Sequence, residues 1–388
     1  MTRLRVLLGL LTLIVVGILG LLVSFYARGY RFDRKTLTFN PTGLLLAKSD
    51  PDGAQVFING ELTTATDTTI SLSPGTYDLS IKKEDYRPWN KRLVIEKEVV
   101  TEATASLFRV APSLSAVTFS GVINPVISPD ATRIAYAVAP SKDDPEKGGL
   151  WAIETVNLPI GFSRSPRRVA DGDLATAEWQ FSPDGREILI SVGSSVYLLD
   201  SSTFTPQARR VNVATRQEII LAEWEEERQT RLSSQIKNLP DELADILQRK
   251  ASSVVFSPDE NKILYTASGS GSLRENLIKQ LPGSSTQKQE RNIQIGQTYV
   301  YDIKEDRNFL VDEGSAPLSW FPTSRNLVLA EEGKITIMDF DGTNRQEVYS
   351  GSYVAPHAYP FASLSKLLIL TNLGADSTSP NLYSLTLK

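Results

Sequence analysis

The sequence has no cysteine and a single histidine, and these two scarcities exclude several kinds of chemistry. Without cysteine there is no thiol nucleophile, no disulfide framework and no cysteine zinc site. A metal site rich in histidine is excluded too, whereas a cation site built from oxygen ligands is not. Acidic and basic residues number 45 and 41, so no strong charge of one sign favours nucleic acid as a partner.

What the sequence does contain is ordinary globular material. It has 388 residues, of which 41% are hydrophobic and 22% charged. That length favours two or three domains, and that composition allows each of them to bury a core.

Residues 6–27 form an uncharged, apolar run near the N-terminus. As a helix the run would be about 33 Å long, which is enough to cross a hydrocarbon core of about 30 Å. Arg3 and Arg5 precede it, and Phe25 and Tyr26 stand where interfacial aromatic residues belong. A cleaved signal peptide has a shorter apolar region and a small-x-small site, so the run favours an uncleaved anchor over residues 1–27.

The orientation of this anchor does not follow from the charges alone. Four basic residues follow the run, at positions 28, 31, 34 and 35, so the positive charges do not favour a cytoplasmic N-terminus. Long domains are translocated largely regardless of charge, however. We therefore predict a single-pass protein of the cell membrane with a cytoplasmic N-terminus and its bulk outside the cytoplasm.

After a linker at residues 28–42, residues 43–108 have the pattern of a small β-domain. Ala54, Val56 and Ile58 recur with the period of two that is typical of a strand, and Asn59-Gly60 is a two-residue hairpin signal. Because one hairpin alone is marginally stable, we expect four or more short antiparallel strands in a β-sandwich.

These residues resemble the PEGA domain. The tetrapeptide of that family is present as Pro-Asp-Gly-Ala at residues 51–54, its hairpin as Asn59-Gly60, and its Pro-Gly-x-Tyr turn at residues 74–77. Such domains are surface-exposed modules of prokaryotic envelope proteins, so the resemblance implies an extracytoplasmic location. The motif residues are turn formers and imply no activity.

From about residue 115 a unit recurs that consists of a short strand, a turn containing proline, and two further strands. The turn is clearest as Ser-Pro-Asp-Gly at residues 182–185, recurs as Ser-Pro-Asp at 128–130 and 257–259, and degrades at 321–324 and 361–363. Units of this kind, repeating at about 40 residues, predict a β-propeller over residues 109–388.

The repeats resemble those of TolB-like and WD40-like propellers. We count five blades, or six if one lies within the inserted segments, and residues 115–119 are expected to supply the outer strand of the last blade. The predicted fold class is therefore all-β with an N-terminal transmembrane helix, a PEGA-like sandwich, and a propeller that carries a helical insertion.

Two insertions interrupt the repeat. Residues 214–250 have a helical pattern, and residues 268–296 are rich in glycine, serine and glutamine, which predicts a long, mobile loop. Each insertion is either a partner surface or a structural decoration.

A search for catalytic residues finds no convincing constellation. His357 is the only imidazole available for a Ser-His-Asp triad, and no Gly-x-Ser-x-Gly elbow accompanies it. We expect His357 to lie at a strand edge or to line the channel.

Two acidic turns have part of a calcium-loop pattern. In Asp339-x-Asp341-Gly342 the twelfth position is Ser350 where a bidentate glutamate is needed, so a hairpin turn is favoured over a weak cation site. The turn Asp171-Gly172-Asp173 is interpreted in the same way. No catalytic, cofactor-binding or metal residue is predicted.

The predicted function is that of a membrane-anchored binding or scaffold protein of the cell envelope, with an envelope protein or polysaccharide as its partner. The alternative is a glycan-directed enzyme with two carboxylates in the channel, about 5 Å or 6.5–9.5 Å apart. A sensory role is disfavoured, because only about five residues precede the apolar run, too few to signal directly.

Overall fold

The computed structural model describes residues 2–27, 30–33, 38–142, 144–156, 165–279, 286–314, 316–361, 364–375 and 379–388. The chain divides into two compact units. The first unit comprises Met1–Leu107 with Gln280–Lys288, and the second unit comprises Phe108–Lys279 with Gln289–Lys388.

The first unit begins with helix α1 (Thr2–Ala27). Residues Leu8–Ala27 have a mean hydropathy of 2.7, and no other described part of the chain buries them. An apolar helix whose whole circumference is exposed is unstable in water and suits a hydrocarbon environment. By length and composition α1 can cross a membrane, although a signal sequence meets the same criterion.

The predicted linker contains a short hairpin. Strands β1 (Arg31–Asp33) and β2 (Thr38–Asn40) pair antiparallel. The basic residues at positions 28, 34 and 35, which enter the orientation argument, lie outside the described residues.

A β-sandwich follows, made of a three-stranded sheet in the order β6-β3-β9 and a four-stranded sheet in the order β5-β4-β7-β8. Buried and partly buried residues alternate along β3, as expected for a strand with one face toward a core. The core takes Leu45 and Ala105 from the first sheet and Val56 and Ile81 from the second. The strands are β3 (Gly43–Asp50), β4 (Gln55–Ile58), β5 (Glu61–Ala65), β6 (Thr68–Leu72), β7 (Gly75–Lys82), β8 (Trp89–Ile95) and β9 (Val100–Ser106).

One strand pair differs from the antiparallel arrangement expected from the sequence. Strand β9 runs parallel to β3, from Leu44 opposite Val100 to Asp50 opposite Ser106. Antiparallel neighbours can be joined by a tight turn, but parallel neighbours need a longer crossover. Here β4 to β8 form that crossover: the chain passes through β4 and β5 of the second sheet, β6 of the first, and β7 and β8 of the second before β9 pairs with β3.

The described part of the second unit contains five sheets of three or four strands, which we number I to V, and one two-stranded sheet. Sheet I has four strands: β11 (Ile123–Ile127), β12 (Arg133–Val138), β13 (Gly149–Glu154) and β14 (Arg167–Asp171). Sheet II has three: β15 (Glu178–Phe181), β16 (Glu187–Val192) and β17 (Ser195–Asp200). Sheet III has β18 (Ala251–Phe256), β19 (Lys262–Ala267), β22 (Thr298–Asp302) and β23 (Arg307–Asp312). Sheet IV has β24 (Leu318–Trp320), β25 (Asn326–Glu331), β26 (Lys334–Asp339) and β27 (Gln346–Ser350). Sheet V has β28 (Ala358–Pro360), β29 (Lys366–Thr371), β30 (Asn381–Thr386) and the earlier strand β10 (Ser113–Ala116).

Sheet V combines two distant parts of the sequence. Strand β10 pairs with β30, from Ser113 opposite Thr386 to Ala116 opposite Tyr383. The sequence predicts an outer strand of this kind at residues 115–119; β10 begins two residues earlier and shares only residues 115 and 116 with that range.

Neighbouring sheets share hydrophobic cores, and successive residues of a strand serve different neighbours. In sheet I, Ile134 joins the core shared with sheet V, whereas Ala135 joins the core shared with sheet II. In sheet IV, Leu327 faces sheet III and Val328 faces sheet V. The inner strands are therefore covered on both faces, which explains their nearly continuous apolar sequences.

Sheets II and III are joined through helices. Helix α2 (Gln217–Ile236) packs Ile220 and Trp224 against sheet II. Helix α3 (Asp241–Arg249) and the end of α2 pack against sheet III. The insertion predicted to be helical thus fills the space between these two sheets, and the shared cores form a closed cycle.

The second insertion is ordered where the structure describes it. Strands β20 (Gly271–Ser272) and β21 (Asn292–Ile293) pair antiparallel. The fully buried carboxylate of Asp306 accepts hydrogen bonds from Tyr301 at 2.5 Å and from the Leu277 amide at 3.1 Å, and it pairs with Arg291 at 3.2 Å. Both ends of the predicted mobile loop are thus fixed, while its residues 280–285 lie outside the described part of the chain.

Candidate functional site: a cavity bordered by five sheets

The Ser-Pro-Asp turns have one common geometry. In the turn after β11, Ser128 Oγ donates to Asp130 at 2.6 Å and accepts from the Arg133 amide at 3.0 Å. The turns after β15 and β18 repeat both bonds, with Ser182 and Ser257 in the place of Ser128. Serine and aspartate are therefore used to build the turn, as their preference for turns predicts.

Each of these turns also requires one residue with a positive φ. The angle is 55° at Ala131, 71° at Gly185, 56° at Glu260 and 60° at Ser324. Only the second turn has the glycine that this conformation favours. The backbone bond that closes the turn also occurs after β24, from the Ser324 amide to the Phe321 carbonyl, so the degraded fourth copy keeps the shape. Residues 362 and 363 of the fifth copy lie outside the described residues.

A cavity of about 760 Å³ is bordered by the first strands of the five sheets and the turns next to them. Its wall is mainly apolar, with aromatic side chains and prolines from several turns. Sheets I to V contribute, among others, Ile127, Phe181, Phe256, Trp320 and Tyr359. This volume and lining suit a ligand that buries apolar groups.

The polar groups at the cavity differ in whether they are free to bind a ligand. Asp130 accepts from Ser128 and from both the amide and the hydroxyl of Thr132. Burial alone would raise the pKa of Asp130, but these hydrogen bonds outweigh it and hold that pKa below its ordinary value. Glu260 accepts a hydrogen bond from Gln235 of α2 at 2.8 Å.

Arg231 of α2 also borders the cavity, and its side chain is exposed. It forms no hydrogen bond or ion pair with any described residue. Its neighbour Arg228, three residues earlier on the helix, is by contrast paired with Glu225 at 3.0 Å. Arg231 is thus a cation at the cavity that can accept an anionic partner.

A second cavity, of about 590 Å³, adjoins the first where the helices stand between sheets II and III. Arg231, Gln235, Phe256 and Glu260 border both cavities. The helical insertion therefore opens a lateral extension of the main cavity.

His357 lies beside the cavity, between the lining residues Pro356 and Ala358. Its Nδ1 is 2.6 Å from the hydroxyl of Tyr359, which donates to the Pro125 carbonyl at 2.8 Å. Burial lowers the pKa of His357 and raises that of Tyr359. The histidine thus belongs to a contact between sheets V and I.

The two acidic turns use their oxygens within the protein. Asp339 accepts from Asn326 at 3.0 Å and from Asn344 at 2.9 Å, and Asp341 accepts from Thr343. Asp171 pairs with Arg210 at 2.6 Å. Within the described ranges no group of three or more histidine or acidic residues could hold a metal ion.

Sequence reasoning missed the residues that define the cavity. The Ser-Pro-Asp turns locate its border, but no pattern marks Trp320 or Tyr359 as lining residues. The one feature of the sequence that could have drawn attention to Arg231 is that it is basic within a mostly acidic and polar segment of the helical insertion.

Comparison with known proteins identifies the domain of the first unit. Residues 42–110 match the family model described as the PEGA domain, which confirms the resemblance predicted for residues 43–108. No curated protein matches the chain.

Among solved structures, the chain is similar to TolB from Acinetobacter baumannii, with 13% identity and a TM-score of 0.21, over 80% of this chain and 59% of that one. It is also similar to a putative TolB from Agrobacterium tumefaciens, with 16% identity and a TM-score of 0.23, over 68% and 77% of the two chains. A third is the β-propeller domain of a protein from Myceliophteria thermophila, with 11% identity and a TM-score of 0.20, over 71% and 73%. The chain thus spans less than two thirds of the first of these structures.

Proposed function

We propose that the chain is a binding protein of the cell envelope, which α1 anchors in the membrane and whose second unit holds a segment of a partner in the 760 Å³ cavity. In this proposal sheets I to V are the five blades of a propeller, with the helical insertion between the second and third blades. The observation that supports it most is the cavity itself, because all five sheets border it with apolar and aromatic side chains.

The proposed location rests on α1 and on the PEGA match. The N-terminus is proposed to be cytoplasmic and both units extracytoplasmic. Because the chain has no cysteine, a single introduced cysteine can report its side of the membrane without background. Ser233→Cys on the exposed surface of α2 should react with a membrane-impermeant maleimide in spheroplasts, whereas Thr2→Cys should react only after lysis. The reverse labelling pattern would refute this orientation.

Binding in the cavity is tested by photocrosslinking of the full-length chain in cells. The photoreactive residue p-benzoylphenylalanine replaces Val255, which borders the cavity and is 47% exposed. The matched control replaces Leu373, an apolar residue that is 56% exposed and is not part of the cavity wall. The proposal predicts one discrete adduct from position 255 and none from position 373. No adduct, or the same adducts from both positions, would contradict it.

A glycan-directed enzyme is the second candidate, favoured by the presence of two carboxylates, Asp130 and Glu260, at the same cavity. Its test is the release of reducing ends from purified envelope polysaccharide by the full-length chain. Release that is lost in both Asp130→Asn and Glu260→Gln would support the enzyme. If the unaltered chain releases none, the idea fails.

A further inference from the structure

We infer that the cavity selects a peptide segment that carries a carboxylate, and that Arg231 binds this carboxylate. This inference rests on the proposed function, and it names the chemistry of the partner. It depends on the charges at the cavity, on the lining of the wall, and on the position of Arg231 at the junction of two cavities.

Three charged side chains border the cavity, Asp130, Glu260 and Arg231, and Arg231 is the one of them with no hydrogen bond or ion pair to a described residue. Asp130 and Glu260 are both acidic, but Asp130 accepts three hydrogen bonds from its own turn and Glu260 accepts one from Gln235. Arg231 has no partner among the described residues. A guanidinium presents parallel N–H donors that match a carboxylate, so a carboxylate is the anion that Arg231 recognises best.

The wall favours a peptide over a polysaccharide. Sugar hydroxyls that leave water need new hydrogen-bond partners, because an unpaired buried polar group is costly. Ser128 and Ser257 border this cavity, but their hydroxyls are engaged in their own turns. The indole N–H of Trp320 donates to the Val255 carbonyl at 3.3 Å. Ser319 is an exposed lining residue whose hydroxyl remains for a sugar, but the wall is mainly apolar, and apolar side chains of a peptide can pack on Phe181 and Phe256.

The position of Arg231 suggests how the segment lies. Arg231 borders both the 760 Å³ cavity and the 590 Å³ lateral cavity. A segment that passes through the lateral cavity would bring its carboxylate to Arg231 and its apolar side chains into the main cavity.

The experiment uses the full-length chain in nanodiscs and three fluorescent octapeptide pools. Each pool has apolar residues and proline at random positions around a fixed central residue, which is Glu, Gln or Lys. A labelled oligogalacturonate is the polysaccharide probe. Binding is measured by fluorescence anisotropy for the unaltered chain and for Arg231→Gln, Arg231→Glu and Arg228→Gln. Arg228 is the matched control, since it is an arginine of the same helix that is not part of either cavity wall.

The expected result is that the Glu pool binds at least tenfold more tightly than the Gln pool, the factor that loss of a charged hydrogen bond produces. Arg231→Gln should remove this preference, Arg231→Glu should transfer it to the Lys pool, and Arg228→Gln should leave it unchanged.

Three outcomes would overturn the inference, and they separate it from the proposed function. Equal binding of the three pools would refute the role of Arg231 while the cavity remains a peptide site. Binding of oligogalacturonate alone would replace the peptide with an anionic glycan. Absence of binding by every probe, together with absence of the adduct at position 255, would remove the proposed function as well.

Discussion

The turns that follow the first strands of the sheets allow a sharp prediction about stability, because one position has the same backbone conformation but different residues. Ala131 has a φ of 55°, and Gly185 has the equivalent position with a φ of 71°. We expect Ala131→Gly to stabilise the second unit and Gly185→Ala to destabilise it.

The magnitudes follow from two opposing terms. An L-residue in the left-handed region costs about 1–2 kcal/mol. Glycine in its place lowers the free energy of unfolding by about 0.4–1 kcal/mol, because it gives the unfolded chain more conformational freedom. Each substitution should therefore change the free energy of unfolding by about 0.5–1 kcal/mol. Packing adds little, because a Cβ at position 185 would lie 3.5 Å from Asp130 Oδ1 and 3.6 Å from Ser128 Cβ, which are ordinary contacts.

The assay is urea unfolding of the full-length chain, followed by tryptophan fluorescence and circular dichroism. The matched control is Ala175→Gly, since Ala175 is also partly buried but does not have a positive φ. The control should lower the free energy of unfolding, where Ala131→Gly raises it. If both substitutions lower it equally, the left-handed conformation at position 131 is refuted.

Three further predictions concern buried groups and pH. Asp306→Asn should lower the free energy of unfolding in urea by about 3–5 kcal/mol, because it leaves the nearly buried Arg291 without its carboxylate; a change below 1 kcal/mol would contradict this. Trp224→Ala should lower the free energy of unfolding by about 3–5 kcal/mol and speed amide exchange in α2. Ile219→Ala, at a position that is 54% exposed, should do neither. Burial alone would raise the pKa of Asp259, but hydrogen bonds and a nearby lysine outweigh it and hold that pKa at about 2. The folded state gains its full stabilisation from this depressed pKa above the pKa of the unfolded chain, about 3.9, and loses it as the pH falls toward 2. The urea midpoint of the unaltered chain should therefore decline between about pH 4 and pH 2, and this decline should be smaller in Asp259→Asn.

The sequence predicted the features that depend on local chemistry. An uncharged apolar run predicts an N-terminal helix, and that helix is present. Asn59 and Gly60 have φ angles of 49° and 86°, which is the backbone their hairpin motif requires. The three intact Ser-Pro-Asp turns lie where the motif places them, because a serine, a proline and an aspartate next to one another determine a turn almost alone.

Other features depend on contacts between distant residues and have no local signal. The parallel pairing of β9 with β3 depends on the path of the chain through the second sheet of the sandwich. The helices of the insertion were predicted, but their place between sheets II and III depends on which residues Trp224 and Ile246 meet. For the same reason Arg231 did not stand out, since its importance comes from the two cavities that it borders.

The pairing of β10 with β30 has a consequence for the timing of folding. Ser115 and Ser384 of this pair are 269 positions apart along the chain. Contacts with such a separation form late, because the entropy of closing the intervening loop must be lost before they contribute. During synthesis β10 therefore remains an unpaired strand until β30 has emerged. We expect nascent chains that pause before residue 381 to be the form of this protein most prone to aggregate or to recruit chaperones.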